Sequence, residues 1–342
     1  MKKILFFAVA LFLATACQNR EWPEIVMPEN EQCYDDPVTS GAADPVLIWN
    51  RQEKSWWMLY TQRRANAETA NVAYCYGNAI GIASSDDNGR SWVYRGTLDL
   101  KIDEGHNTFW APDIVYHNGK YHLFVAYIKG VRTHWGGQAH IVHFTSKDMW
   151  KWKYEGTPAL SSDSVIDATL FKTDSGKWRM WYKDQARGSV TMMAESKDLK
   201  KWSYDDEPAV GGGAHEGAKV FRYGDYYWML TDEWQGMRVH RSTDLNTWEK
   251  QGLILDKPGK RRDDKPQGAH GDVVVLGDKA YVFYFTHPDR VQHSRHPYDH
   301  EHDMMDFKYR RSSIQVAPLY IKDGTLVAPR DEKFDFHMPN LD

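Results

Sequence analysis

The chain has 342 residues, 42% apolar and 26% charged, enough for one large core or two domains and far from a disordered or collagen-like composition. A formal charge of −4 lacks the basic footprint of a nucleic-acid binder, and a mean hydropathy of −0.67 excludes a bundle of membrane helices. The outlying feature is aromatic content: 15 Trp, 19 Tyr and 13 Phe must either be buried between sheets or face a ligand with flat apolar surfaces.

Lys2 and Lys3 precede an apolar run over residues 4–16, too short to cross a bilayer but of the length of a secretory signal core. The run ends in Ala14-Thr15-Ala16-Cys17, which predicts a signal peptide at 1–16 and a lipidated Cys17. The leucine expected three residues ahead of that cysteine lies one further away, at Leu13, and the same bond also suits an ordinary signal peptidase. The expected location is therefore a lipid anchor in the periplasm or at the cell surface, or otherwise secretion. Loss of Lys2 and Lys3 would take the charge from −4 to −6. Residues 17–36 read as a tether and 37–342 as one folded domain. In an oxidising compartment Cys33 and Cys75 either pair or remain two buried thiols; both readings stay open.

From residue 44 onward a unit recurs. Its mark is a Ser, an Asp two residues on, and a Trp: Ser85, Asp87 and Trp92; Ser146, Asp148 and Trp152; Ser196, Asp198 and Trp202; Ser242, Asp244 and Trp248. Ser and Asp side chains that bond nearby backbone N–H groups predict a turn, with the Trp sealing the hairpin on a neighbouring sheet. Ahead of each copy come a short apolar strand (45–49, 114–116, 168–171, 218–221), a tight turn such as Asn118-Gly119, and an aromatic strand (56–61, 121–128, 178–182, 226–230). A fifth unit (273–276, then 281–285) lacks the Trp mark and carries a His-rich insertion with His287, His293, His296, His300 and His302, either a transition-metal site or a solvated loop. Four strands per unit and five units predict an all-β fold, a five-bladed β-propeller with four-stranded antiparallel blades.

A carboxylate stands ahead of each apolar strand: Asp44, Asp113, Asp167, Glu216 and Asp272. Innermost strands line a propeller's axis, so these acids are expected to converge on one mouth of the channel. Such mutual repulsion is tolerated where a substrate, metal or cation is to be met; the alternative is that each acid bonds backbone at a strand start.

Asp44-Pro45, Trp110-Ala111-Pro112-Asp113-Ile114, Asp167 ahead of Ala168-Thr169-Leu170-Phe171, and Glu216-Gly217 together resemble glycoside hydrolase family 43 and related five-bladed propeller glycosidases, over nearly the whole span from Asp44 to Ala328. The resemblance implies that Asp44 is the general base, Asp167 the carboxylate that tunes and orients the acid, and Glu216 the general acid. It further implies that His270 approaches a cation or water on the axis. No cofactor is then required for the chemistry, with a structural calcium ion at the axis as a metal candidate beside the His-rich insertion. Ala218 departs from the family, where Pro commonly follows Glu-Gly.

These residue types suit glycoside cleavage, which needs a protonated acid at the leaving oxygen and an ionised base activating water on the opposite face. A third carboxylate beside the acid would keep it protonated by like-charge repulsion. The expected function is an exported, inverting glycoside hydrolase that removes terminal arabinofuranose- or xylose-type sugars. Trp110 is expected either to stack on a sugar or to pack within its blade, and His215 to bond either a sugar hydroxyl or backbone. Arg261, Arg262, Arg310 and Arg311 either recognise an acidic sugar or are solvated. The alternatives are a family 117-like glycosidase acting on anhydro-sugars and a non-catalytic glycan-binding propeller lipoprotein. A sialidase, suggested by the blade-one turn, would need six blades and an arginine triad. The expected partner is a glycan, not a nucleic acid, with membrane contact only through the lipid anchor; oligomeric state is not readable.

Overall fold

The computed structural model describes residues 25–26, 34–291, 298–299 and 304–341. Within them the chain forms five four-stranded antiparallel sheets, each built from consecutive strands. Blade 1 comprises Ala42–Asn50, Ser55–Gln62, Ala79–Ser85 and Val93–Thr97, and blade 2 comprises Thr108–His117, Lys120–Ile128, His140–Ser146 and Lys153–Gly156. Blade 3 follows with Val165–Lys172, Trp178–Asp184, Val190–Ser196 and Trp202–Tyr204, and blade 4 with Glu216–Tyr223, Tyr226–Asp232, Met237–Ser242 and Glu249–Ile254. Blade 5 takes Ala269–Leu276, Lys279–Thr286, Ser313–Lys322 and Thr325–Val327. The five first strands neighbour one another in ring order, blade 5 returning to blade 1, so the fold is a five-bladed β-propeller with these strands around its axis.

The repeat mark builds the outer turn as its chemistry requires. In blade 2, Asp148 Oδ1 accepts the backbone N–H groups of Trp150 and Lys151, while Ser146 Oγ accepts that of Met149. Blade 4 repeats this with Ser242, Asp244 and Leu245. Met149, Leu199 and Leu245 adopt left-handed φ of 61–63° and are buried, plugging the hairpin from below. Each repeat Trp packs backward on the preceding blade: Trp202 meets Phe124 edge-on, Trp248 meets Trp181, and Trp92 of blade 1 meets Phe283 of blade 5. In blade 5, which has no such Trp, Leu326 joins the core shared with Trp228 of blade 4.

Both chain ends seal the seam between blades 5 and 1. Ile25–Val26 pairs with Asp335–Phe336, Tyr34 bridges Ile314, and Phe334, Phe336 and Met338 enter the core of blades 1 and 5. The first strands are longer than the apolar runs in the sequence, so the acids lie within strands. In blades 1 to 4 the pairing of strands 1 and 2 is interrupted at the same place by a β-bulge. Its pivotal residue has positive φ: Asp44 (50°), Ala111 (44°), Asp167 (58°) and Gly217 (59°). Asp tolerates this conformation better than most residues, and bulges re-aim side chains next to functional sites.

Candidate active site

The bulges sort the five sequence acids into two layers rather than one. Asp44 and Asp167 occupy the bulge position itself, with Glu216 directly ahead of its bulge glycine. Asp113 and Asp272 sit one pleat deeper, in register with Val46, Thr169 and Lys219. The expectation that all five meet at one mouth is therefore corrected. Lys219 Nζ lies 2.9 Å from Asp113 Oδ1 and 2.8 Å from Asp272 Oδ1, and the second oxygens of these acids accept the backbone N–H groups of Leu170 and Leu47. Their capacity is spent inside the fold.

Above this layer lies a cavity of about 610 Å³ lined by Asp44, Asp167, Glu216, Trp110 and His270, and also by Arg63, Lys183, Cys75, Trp135 and Trp234. The three upper carboxylates have unlike surroundings. Burial pushes the Asp44 carboxyl up, but Arg63 at 3.6 Å and His270 at 3.5 Å outweigh it and hold it below the ordinary aspartate range. Asp167 has no such direct pair. Burial, against the pull of His270 and with the push of Glu216, raises it to about 6, and its Oδ2 accepts the Gly217 N–H at 3.2 Å. Glu216 is held at both oxygens: Lys183 Nζ donates to Oε2 at 2.8 Å and the Trp234 indole N–H to Oε1 at 2.9 Å.

His270 is a cation in its own right. Burial opposes its charge, yet the Asp44 bond and the nearby Asp167 raise it to about 9. The described residues contain no group of three or more His, Cys, Asp or Glu side chains arranged around a metal, so a calcium ion at the axis is not shown. Gly217 is required where it stands: besides its positive φ, a Cβ there would lie 2.4 Å from the His270 ring.

Trp110 is half-buried, donates its indole N–H to the Cys75 carbonyl and stacks obliquely with Tyr76 and Trp135, so one wall of the cavity is an aromatic shelf. His215 does not line the cavity. It is buried, with Nε2 on Thr191 Oγ1 and Nδ1 on the Gly213 carbonyl. Three of the four arginines are engaged internally: Arg261 bonds Asp264, Arg311 bonds Asp263 and Asp289, and Arg310 bonds the Ala67 carbonyl, while the largely exposed Arg262 lies 3.7 Å from Asp263. His287 contacts the Arg311 carbonyl and Arg63; His293, His296, His300 and His302 lie outside the described residues, as do Cys17 and Cys33. Cys75 is a buried free thiol.

Sequence reading missed Arg63, Lys183, Asp232, Trp135 and Trp234. Lys183 and Asp232 had a signal: each is a charged residue at the end of an otherwise buried second strand, where alternation gives no solvent face. Asp232 is the partner of Glu216 in the strand register, and its two oxygens accept the N–H groups of Trp234 and His270. Burial first, and Glu216 next, raise it to about 7.

Residues 96–234 match the model of glycosyl hydrolases family 43, a stretch that contains Trp110, Asp167, Lys183, Glu216 and Trp234. Over this stretch the chain is similar to that family. A probable arabinan endo-1,5-alpha-L-arabinosidase A of Emericella nidulans is 29% identical over 224 residues, 58% of this chain and 62% of the relative. The arabinan endo-1,5-alpha-L-arabinosidase A of Aspergillus niger is 27% identical over 219 residues, 58% of this chain and 61% of the relative. The chain thus spans less than two thirds of the length of these curated relatives. Among solved structures, a thermostable family-43 glycoside hydrolase superposes with a TM-score of 0.64 at 18% identity, covering 89% of this chain and 99% of that one. An exo-1,5-alpha-L-arabinanase from a bovine ruminal metagenomic library gives 0.55 at 17% identity, covering 86% and 98%. These two likenesses establish the shared propeller.

Proposed function

We propose that the protein hydrolyses the glycosidic bonds of arabinofuranose-containing polysaccharide or oligosaccharide with inversion at the anomeric carbon, Asp44 acting as general base and Glu216 as general acid. The observation that carries this reading is the bulge layer itself: three carboxylates at the floor of one aromatic-walled cavity, each in a different electrostatic setting. Asp44, held ionised by Arg63 and His270, suits removal of a proton from water. Glu216, on the neighbouring wall, faces the leaving oxygen, and Asp167 braces the bulge glycine next to it. Trp110 and Trp135 offer flat faces to sugar C–H groups. The choice of arabinose is supported by the names of the curated relatives. The reading takes terminal sugars as the substrate, with xylose as the other sugar it admits. We further propose that the chain is exported and anchored through Cys17, which palmitate labelling of wild type against Cys17→Ser checks.

The test is product release from arabinan, 1,5-linked oligomers and aryl arabinofuranosides and xylosides, with Glu216→Gln as control and NMR of the first-formed anomer. The expected result is inverted monosaccharide from the wild type and its loss in the variant. Wild-type rates from Glu216→Gln would overturn the assignment, and a retained anomer would overturn inversion.

A further inference from the structure

Both oxygens of Glu216 face groups that can only donate: an ammonium and an indole N–H. A general acid must present a proton of its own to the leaving oxygen. Each carboxylate oxygen has two acceptor directions and one donor takes only one of them, but an indole ring bonded to Oε1 also fills the space beside it, so the leaving oxygen reaches that atom only if a donor withdraws. Lys183 is poorly suited to do so, because its side chain is 8% exposed and its charge is also held by Asp167 and Asp232. Trp234 is well suited. It is 47% exposed, its indole makes one hydrogen bond, to Glu216, and the Lys183 ammonium lies over its ring at 5.3 Å. Its backbone is pinned independently: the N–H donates to Asp232 at 2.7 Å and the carbonyl accepts from Gln267 at 3.0 Å. The ring can therefore swing about its side-chain torsions while the main chain, at a left-handed φ of 58°, stays fixed.

We propose that Trp234 is a removable cap on Glu216. In the free protein its indole N–H occupies Oε1; the sugar on the leaving side of the scissile bond displaces it, Oε1 takes up a proton from solvent, and that proton passes to the glycosidic oxygen as the glycosidic C–O bond breaks, while Lys183 remains on Oε2 as a fixed positioning residue. This rests on the glycosidase reading above, and it assigns Trp234 to the leaving-group side of the cavity. It also means that substrate binding has to break one charge-assisted hydrogen bond before proton transfer.

The test combines NMR with kinetics on the full chain. The indole N–H resonance of Trp234, assigned by its disappearance in Trp234→Phe, is expected to shift on Glu216→Gln in the absence of sugar. In the wild type it is expected to shift again on saturation with a 1,5-linked arabino-oligosaccharide, binding being followed by calorimetry. Trp234→Phe keeps a ring but no N–H and is expected to raise kcat/KM by about threefold to tenfold, the worth of a modest hydrogen bond, with an unchanged melting temperature. A resonance indifferent to Glu216→Gln overturns the cap, as does one that stays in place under bound oligosaccharide, or a Trp234→Phe variant whose kcat collapses. Sugar-dependent displacement without product from the wild type would instead support the cap and count against hydrolysis.

Discussion

Two rings of side chains face the same axis, one pleat apart on the same five strands, and their charges are balanced in different ways. In the deeper ring two aspartates enclose one lysine, and their remaining oxygens take backbone N–H groups. Every strong acceptor there has a partner at hydrogen-bond distance, which is how a buried charge is made tolerable, and nothing is left to offer a ligand. In the upper ring Asp44, Asp167, Glu216 and the neighbouring Asp232 share Arg63, Lys183 and His270, a shortfall of one cation. Asp167 and Asp232, raised to about 6 and about 7, absorb that shortfall. What separates the rings is the bulge. It gives Asp44 and Asp167 a left-handed backbone that turns them toward the cavity, whereas Asp113 and Asp272, on regular strand, point to a lysine across the channel.

The sharpest way to break this contrast is to neutralise one member of each ring. Asp44→Asn keeps a side chain that accepts a left-handed φ and keeps the shape of the site, so the fold should hold. If Asp44 is the base, kcat falls by about 10²–10⁴-fold, while the thermal midpoint moves little. Near-wild-type turnover would remove Asp44 from the chemistry. Lys219→Met should do the reverse. It strands two buried carboxylates, and losing one partner of a buried ion cluster costs about 3–5 kcal/mol. Urea unfolding is expected to register that loss, while kcat per folded molecule changes little. Loss of turnover at unchanged stability would place the deeper ring in the active site.

The same contrast explains how far the sequence could be read. The turn motif and hairpin periods are local, so blade number and strand order follow from a single chain without partners. Asp44, Asp167 and Glu216 were legible through order and spacing. Their separation from Asp113 and Asp272 was not, because a bulge is a register event between two strands and leaves no mark in either one alone. Trp234 and Trp135 were hidden for a different reason. Four of the fifteen tryptophans belong to the turn repeat, and composition cannot tell a ring packed on the preceding blade from one held over a cavity by a loop. His215 took the second of the two courses open to it: just ahead of the strand that begins at Glu216, it bonds the Gly213 carbonyl and Thr191 rather than facing the cavity.

Histidines carry the comparison from charge to pH. His143 is stacked on Phe124 and bonded to His122, and burial depresses it to about 3; His240, bonded to Thr231, is depressed by burial to about 4. Both lie in third strands, away from the axis, and both are buried neutral. An unfolded histidine gains its proton near pH 6.5, so their contribution to stability is complete above that pH. It is lost as pH falls toward the folded values, by about 1.4 kcal/mol per group for each unit below 6.5. His270 runs the other way. Raised to about 9 by Asp44 and Asp167, it stabilises the site fully below pH 6.5 and loses that contribution as pH rises through about 9. Urea melts should therefore fall off on the acid side through the outer strands and on the alkaline side through the active site. His240→Gln should flatten the acid slope, whereas His270→Gln should remove the loss that sets in as pH rises through about 9 and also shift the carboxylates that His270 pulls down, Asp44 and Asp167. A His270→Gln variant that kept the full alkaline loss would mean that His270 is neutral in the fold, and the electrostatic case for Asp44 as the ionised base would lose one of its two cations.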